Sequence, residues 1–168
     1  VLRLMAAPLR ITLITVARNA ARTIADTVRS VAAQDYPQVE YIVIDGASTD
    51  GTAEVVQRNL GTNSYLISEL DQGVYDAMNK GITIATGDVI GFLNADDVFA
   101  HKHVLSRITK VFRDPVIEAC YADLIYVDQY NPHKIVRYWK SGPYVDGLFE
   151  KGWMPAHPTF YVRRAVYE

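Results

Sequence analysis

At 168 residues, 49% of them apolar and 21% charged, the chain is sized for one domain with its own buried core, which excludes intrinsic disorder. Cys120 is the single cysteine, so a disulfide scaffold is excluded, and a reducing compartment such as the cytoplasm is the expectation. Seventeen basic against nineteen acidic residues, with no basic block, exclude nucleic acid as a partner, and no apolar run approaches the roughly 20 residues of a membrane span.

Residues 1–10 read as a mildly basic apolar N-terminal stub, upstream of the domain and without the small-residue cleavage site of a signal peptide. Residues 11–16 are a continuous β-branched and apolar run, expected as a strand buried on both faces. Residues 19–23 supply turn and cap chemistry. Ile24, Val28 and Val31 then recur at helical spacing up to Gln34, and Pro37 closes the unit. A second strand over 41–44 stops at Asp45-Gly46, and a helix over 52–60 turns Val55 and Val56 inward. A short third strand covers 65–68. The helix over 74–85 places Val74, Met78 and Ile82 on one face, and a fourth strand covers 89–93. This alternation predicts right-handed crossovers and a parallel sheet.

Beyond a helix over 103–112 the pattern changes. Residues 119–127 and 135–139 read as strands separated only by a turn at Asn131-Pro132, which predicts a hairpin or mixed sheet. Residues 144–158 form an aromatic loop rich in Gly and Pro, and a further helix is expected over 163–168.

Ligands of open α/β sheets bind outside the carboxyl ends of the strands. Here the first strand exits into Arg18-Asn19 and the second into residues 45–51. The third exits into residues 69–73 and the fourth into residues 94–97. Four consecutive polar exits argue for one shared site. Asp96 and Asp97 would repel a diphosphate unless a divalent cation stood between them, and hard oxygen ligands suit Mg2+ or Mn2+. Capping of the next helix is the bland alternative; it fits less well, because the pair follows an apolar strand directly.

Competing motifs fail. There is no G-x-G-x-x-G, no G-x-x-x-x-G-K-[ST] and no G-x-S-x-G. Residues 45–51 miss the EF-hand pattern at Ala47 and Thr49, and His101-x-His103 lacks a clustered third zinc ligand. Asp50, Gly51 and Thr52 read as a turn and helix cap, and Asp123 as a strand end or a site residue in equal measure. Trp139, Tyr144 and Trp153 suit stacking on a sugar or lipid acceptor, or simple core filling.

Taken together, Ile-Thr-Leu-Ile-Thr-Val-Ala-Arg-Asn (11–19), Tyr-Ile-Val-Ile-Asp-Gly-Ala-Ser-Thr-Asp-Gly-Thr (41–52), Asp-Gln-Gly-Val-Tyr-Asp-Ala-Met-Asn-Lys-Gly (71–81) and Gly-Asp-Val-Ile-Gly-Phe-Leu-Asn-Ala-Asp-Asp (87–97) resemble the family 2 glycosyltransferases of GT-A fold. The likeness is strongest to bacterial enzymes that build surface polysaccharide or glycolipid. It thins through Tyr121-Ala-Asp123 and residues 155–160.

The resemblance implies an α/β, Rossmann-like nucleotide-diphospho-sugar transferase fold over 11–168, with a mostly parallel central sheet flanked by helices and a mixed C-terminal part. Residues 11–97 would be the nucleotide-sugar-binding half, and 98–168 an incomplete acceptor-side half. It further implies that Val16 and Asn19 line the nucleotide pocket and that Asp45 hydrogen-bonds the base. Asp71, Asn79 and Lys80 would lie along the donor cleft, with Asp97 the direct metal ligand and Asp96 nearer the ribose. The family's D-x-D motif stands here as Asn94-x-Asp96-Asp97, an amide replacing the first carboxylate.

The implied reaction moves a sugar from a nucleoside-diphosphate donor to a hydroxyl of a glycan or lipid-linked acceptor, with inversion and with Mg2+ or Mn2+. Its implied setting is the cytoplasm, at the inner face of the membrane, as a peripheral protein and a homo-oligomer. The family's base is an aspartate downstream of residues 157–160 and is expected past Glu168, with His157 the internal substitute; the chain as given is then expected to bind donor with little turnover. A sugar-phosphate nucleotidyltransferase is the alternative, disfavoured by the absence of glycine from residues 18–22, and a nucleotide-sugar-binding fragment without turnover is the other.

Overall fold

The computed structural model describes residues 7–167, so the first six residues of the N-terminal stub, and Glu168, lie outside it. Elements run β1 (Ile11–Ala17), α1 (Ile24–Ala32), β2 (Val39–Asp45), α2 (Thr52–Asn59), β3 (Ser64–Ser68), α3 (Val74–Ile84), β4 (Val89–Phe92) and α4 (Val104–Val111). After them come β5 (Ala119–Cys120), β6 (Leu124–Asp128), β7 (Asn131–Trp139) and β8 (Tyr161–Arg163). The main sheet has the order β3-β2-β1-β4-β8-β5. Its first four strands are parallel, and β8 runs antiparallel between β4 and β5. β6 and β7 form a separate hairpin.

The period-two geometry of a strand sends alternate side chains to opposite faces, and both faces are covered. Ile11, Leu13, Tyr41, Val43 and Val89 meet Ile24 and Val28 of α1, Val56 of α2 and Leu105 of α4. Ile14, Ile42, Ile44, Ile90 and Phe92 meet Ala77 and Met78 of α3 on the other side. β1, β2 and β3 advance in one direction, and β4 then pairs on the opposite flank of β1. That reversal makes a topological switch point between β1 and β4, with a crevice at their carboxyl ends. Among the described residues, no helix is long and apolar enough to cross a membrane.

Four expectations are corrected. The strand expected over 119–127 breaks in two, because hydroxyls replace the ladder at Ala122. Its N–H donates to Thr159 Oγ1 at 3.2 Å, and its carbonyl accepts from Ser141 and Thr159, both at 2.9 Å. The hairpin turn falls at Gln129-Tyr130, where Asp128 Oδ1 accepts from the amides of Tyr130 and Asn131, and Asn131-Pro132 belong to β7. Proline is tolerated there because β7 is an edge strand. Val74 is 50% exposed; Met78 and Ile82 of the expected face do pack on the sheet, with Ala77 and Gly81 beside them.

Over the described part of 163–168, residues 163–167, the expected helix is absent: 161–163 is a strand and Arg164–Val166 a 3₁₀ turn. Arg163 donates from its main chain to Glu118 and from its guanidinium to the carbonyls of Phe112, Asp114 and Ile117, which outcompetes helical pairing.

Close approach explains why β4 carries a glycine. A Cβ on Gly91 would lie 2.2 Å from the ring of Tyr161, which is 1% exposed on β8. Gly91→Ala is therefore expected to cost about 2 kcal/mol through overpacking, measured by urea unfolding. A loss below about 0.5 kcal/mol would show that the Tyr161 ring moves aside freely.

Candidate active site

Ala17, Asp45 and Ser68 end β1, β2 and β3 at one level, since Ala17 pairs with Asp45 and Asp45 with Ser68. Asp45 is fully buried and its carboxylate is saturated from inside. Oδ1 accepts from Ser48 Oγ at 2.5 Å; Oδ2 accepts from Ser48 N at 3.1 Å and Ser68 Oγ at 2.6 Å. Burying a carboxylate without such donors would be strongly unfavourable. Asn19 sits at φ 53°, in the left-handed region that asparagine tolerates. There its amide N donates to Ser48 Oγ at 2.8 Å, while its Oδ1 accepts from Thr49 N at 3.0 Å. The first and second exits are thus one connected unit. Val16, half-buried, packs beneath it against the α3 side of the sheet.

The third exit folds onto the second. Asp71 Oδ1 accepts from Gly73 N at 2.9 Å, and Oδ2 stands where a side chain on Gly46 would be, 2.3 Å from an added Cβ. Lys80 anchors this loop from α3: its ammonium donates to Leu70 O and meets Glu69 Oε1, both at 2.8 Å, with Asp76 at 3.6 Å. The hydrogen bond with Glu69 raises the Lys80 pKa. Asn79, one residue earlier on α3, is exposed.

At the fourth exit, Asp97 Oδ2 accepts from Asn94 Nδ2 at 2.7 Å and its amide donates to Asn94 O at 3.1 Å. Burial pushes the Asp97 carboxyl upward, and neighbouring Asp96, exposed, adds repulsion, against the amide hydrogen bond and His157. His157 comes in on the 3₁₀ turn His157–Thr159 and stacks on Phe92, centroids 5.6 Å apart and planes at 23°. An orienting partner for His157 was invisible in the sequence; Phe92, the last residue of β4, is that partner.

Other readings resolve into structure. Asp50 accepts from Thr52 N, Thr52 Oγ1 and Ala21 N, which makes the expected turn, and Gly51 at φ 91° is the helix cap. Asp123 accepts from the Tyr138 hydroxyl and Ser141 N, closing the base of the hairpin. Ser48, Ser68, Gly46 and Phe92 are contacts of the candidate site residues that sequence reasoning missed. A signal existed for the first three, inside or level with the second exit motif.

The fourth exit suits a hard divalent cation in one particular way. Among the described residues, no group of three or more His, Cys, Asp or Glu side chains could cage a metal. Asp96 and Asp97 offer adjacent carboxylates, one of them half-buried and short of compensating charge, which fits Mg2+ or Mn2+ completed by phosphate and water.

Residues 12–167 match the family model for glycosyl transferase family 2. Relatives named PGL/p-HBAD biosynthesis glycosyltransferase, from Mycobacterium bovis and Mycobacterium tuberculosis, are 36% identical over 97% of this chain. The chain spans 62% of their length. The mannosyltransferase PcManGT from Pyrobaculum calidifontis, solved with GDP-Man and Mn2+, superposes with a TM-score of 0.71 at 24% identity, covering 96% of this chain and 46% of its own. TarS 1–349 of S. aureus with UDP-GlcNAc gives 0.72 at 18% identity, covering 94% and 46%. These likenesses establish the fold.

Proposed function

The chain belongs to glycosyl transferase family 2, and from that we propose that it moves a sugar from a nucleoside-diphosphate donor to a hydroxyl of a glycan or lipid-linked acceptor, with inversion and with Mg2+ or Mn2+. The observation that carries this is the half-buried Asp97 carboxylate beside Asp96 at the β1/β4 switch point. Fold neighbours that hold GDP-Man with Mn2+ and UDP-GlcNAc support it. Asp97 would be the direct ligand, held in orientation by Asn94, with Asp96 toward the ribose. A cation bound there neutralises the charge growing on the departing diphosphate.

Asn19, Val16 and Asp45 would form the base-side wall, and Asp71, Asn79 and Lys80 the flank of the donor cleft. Asp45 would accept a base N–H in exchange for one of its serine donors. In an inverting displacement the proton acceptor stands on the sugar face opposite the diphosphate. His157, stacked on Phe92 beside the fourth exit, would stand on the diphosphate side of a donor held by Asp97, so this reading does not give it that role. A lipid-linked acceptor would bring the protein to the inner face of the membrane as a peripheral enzyme.

Calorimetric titration of a nucleoside-diphosphate panel, with and without Mn2+, tests this reading: one base should bind, and only with the cation. Absence of any Mn2+-dependent binding overturns it. Asp45→Asn removes a charged hydrogen bond, so the preferred base should lose about 1.5–3 kcal/mol, roughly tenfold or more. Equal loss for every base would show that Asp45 organises the loops without reading the base.

A further inference from the structure

Among the described residues the two sheets present four edge strands, β3, β5, β6 and β7, and three of them are blunted. β5 is two residues long, β6 loses register against β7 at Val127, and β7 carries Pro132 and Lys134. Such features keep an open edge from pairing with another chain. β3, the outer strand of the main sheet, has none of them. It runs Ser64-Tyr65-Leu66-Ile67-Ser68 without charge, proline or register shift.

The ladder to β2 decides which backbone groups of β3 face outward. The amide of Tyr41 donates to Asn63 O and that of Glu69 to Asp45 O, both at 3.0 Å. In a parallel ladder alternate residues bond to the same neighbour, so residues 63, 65, 67 and 69 are turned to β2. Ser64, Leu66 and Ser68 then turn their N–H and C=O groups to the open edge. No loop or side chain among the described residues bonds to them there.

This outward set is symmetric about Leu66, and so is the sequence. Laid antiparallel on a copy of itself, Ser64 faces Ser68, Tyr65 faces Ile67 and Leu66 faces Leu66. Serine with serine and an aromatic with a β-branched residue are favourable cross-strand pairs, and no like charges meet. The pairing satisfies the outward groups with about six backbone hydrogen bonds, two at each bonded pair. Tyr65, 51% exposed, gains a neighbour in the second copy's Ile67. The contact is isologous, as two-fold association of identical chains requires.

We propose that the chain self-associates by antiparallel pairing of β3 with β3 of a second copy, about a two-fold axis at Leu66, so that one sheet runs through both. Ser68 ends this strand and its hydroxyl holds Asp45 at 2.6 Å, so the contact runs from one candidate site to the other. This pairing does not depend on the glycosyl-transfer reading.

Sedimentation velocity across micromolar concentrations should show a reversible monomer–dimer equilibrium, the strength expected of a small contact. Tyr65→Lys sets a charge on the exposed edge and should weaken the dimer about tenfold or more, with an unchanged circular dichroism spectrum. Leu66→Cys places a thiol on the axis, its Cα about 5.5 Å from that of its copy, which is within disulfide reach. Mild oxidation should cross-link it, whereas Ser64→Cys, which faces Ser68 and not its own copy, should stay uncross-linked. The native chain, with Cys120 alone, gives the background. A monomer at every concentration, a dimer indifferent to Tyr65→Lys, or no cross-link in folded Leu66→Cys overturns the proposal. Cross-linking of Ser64→Cys in place of Leu66→Cys would show association in another register and overturns it as well.

Discussion

Asp97→Ala is expected to lower Mn2+-dependent nucleoside-diphosphate affinity about 100-fold, since changes even outside the ligand shell typically cost 10–100-fold, while the fold stays intact. The side chain lies past the end of β4, outside the two apolar clusters, and among the described residues its hydrogen bond is to Asn94. Burial and the charge of Asp96 raise its carboxyl above the ordinary value. The folded state thus holds that proton more tightly than the unfolded chain, and ionised Asp97 disfavours folding as pH rises through the raised pKa. Removing the carboxylate should accordingly leave the melting temperature at pH 7 equal or higher. Asp96→Ala, at an exposed position, should cost less affinity. Equal binding with and without Mn2+, together with unchanged affinity in Asp97→Ala, would remove the metal assignment; helix capping is no alternative, since the next helix begins at Val104 with His103 at its cap.

The half of the molecule that follows local rules was legible in its residues. Buried parallel strands read as unbroken apolar runs, so β1, β2 and β4 announce themselves, and the polar residues stand where those runs stop. What escaped depends on contacts between distant residues. Residues 161–167 have no strand pattern longer than three residues; β8 exists because β4 and β5 offer it ladders and the loop 112–117 offers Arg163 three carbonyls. The seat of His157 on Phe92 spans 65 positions of chain, as no periodicity can show. Asp45 was legible as a candidate by its position at a strand exit, but not as a buried carboxylate with three donors, because Ser68 reaches it only through the register of β3 on β2.

Glu40→Ala is expected to destabilise the fold by about 3 kcal/mol, the usual cost of breaking a buried charge network, with donor affinity unchanged. Glu40 is 3% exposed on β2. It accepts from Thr12 Oγ1 at 2.5 Å, Thr86 N at 2.8 Å and Thr86 Oγ1 at 2.7 Å, with the Arg10 guanidinium at 3.4 Å. Thr12 Oγ1 in turn accepts from Gly87 N at 2.8 Å, so one carboxylate ties β1, β2 and the connection between α3 and β4. All of this lies toward the amino ends of the strands, away from the candidate site. Alanine would strand two hydroxyls and an amide in a nearly dry place, at about 1–3 kcal/mol for each group left unpaired. Burial alone would raise the Glu40 carboxyl; the bonds from Thr12 and Thr86, with Arg10, outweigh it and hold it below its ordinary 4.5. A depressed carboxyl contributes stability that is complete above the unfolded value and is lost as pH falls through the folded one. Urea unfolding of the native protein should therefore weaken progressively below about pH 4.5. Glu40→Gln, which keeps the shape and one acceptor, should be less stable at pH 7 and show a shallower acid decline. An identical acid decline in the two proteins would mean that the network holds the strands together without linking their stability to a proton.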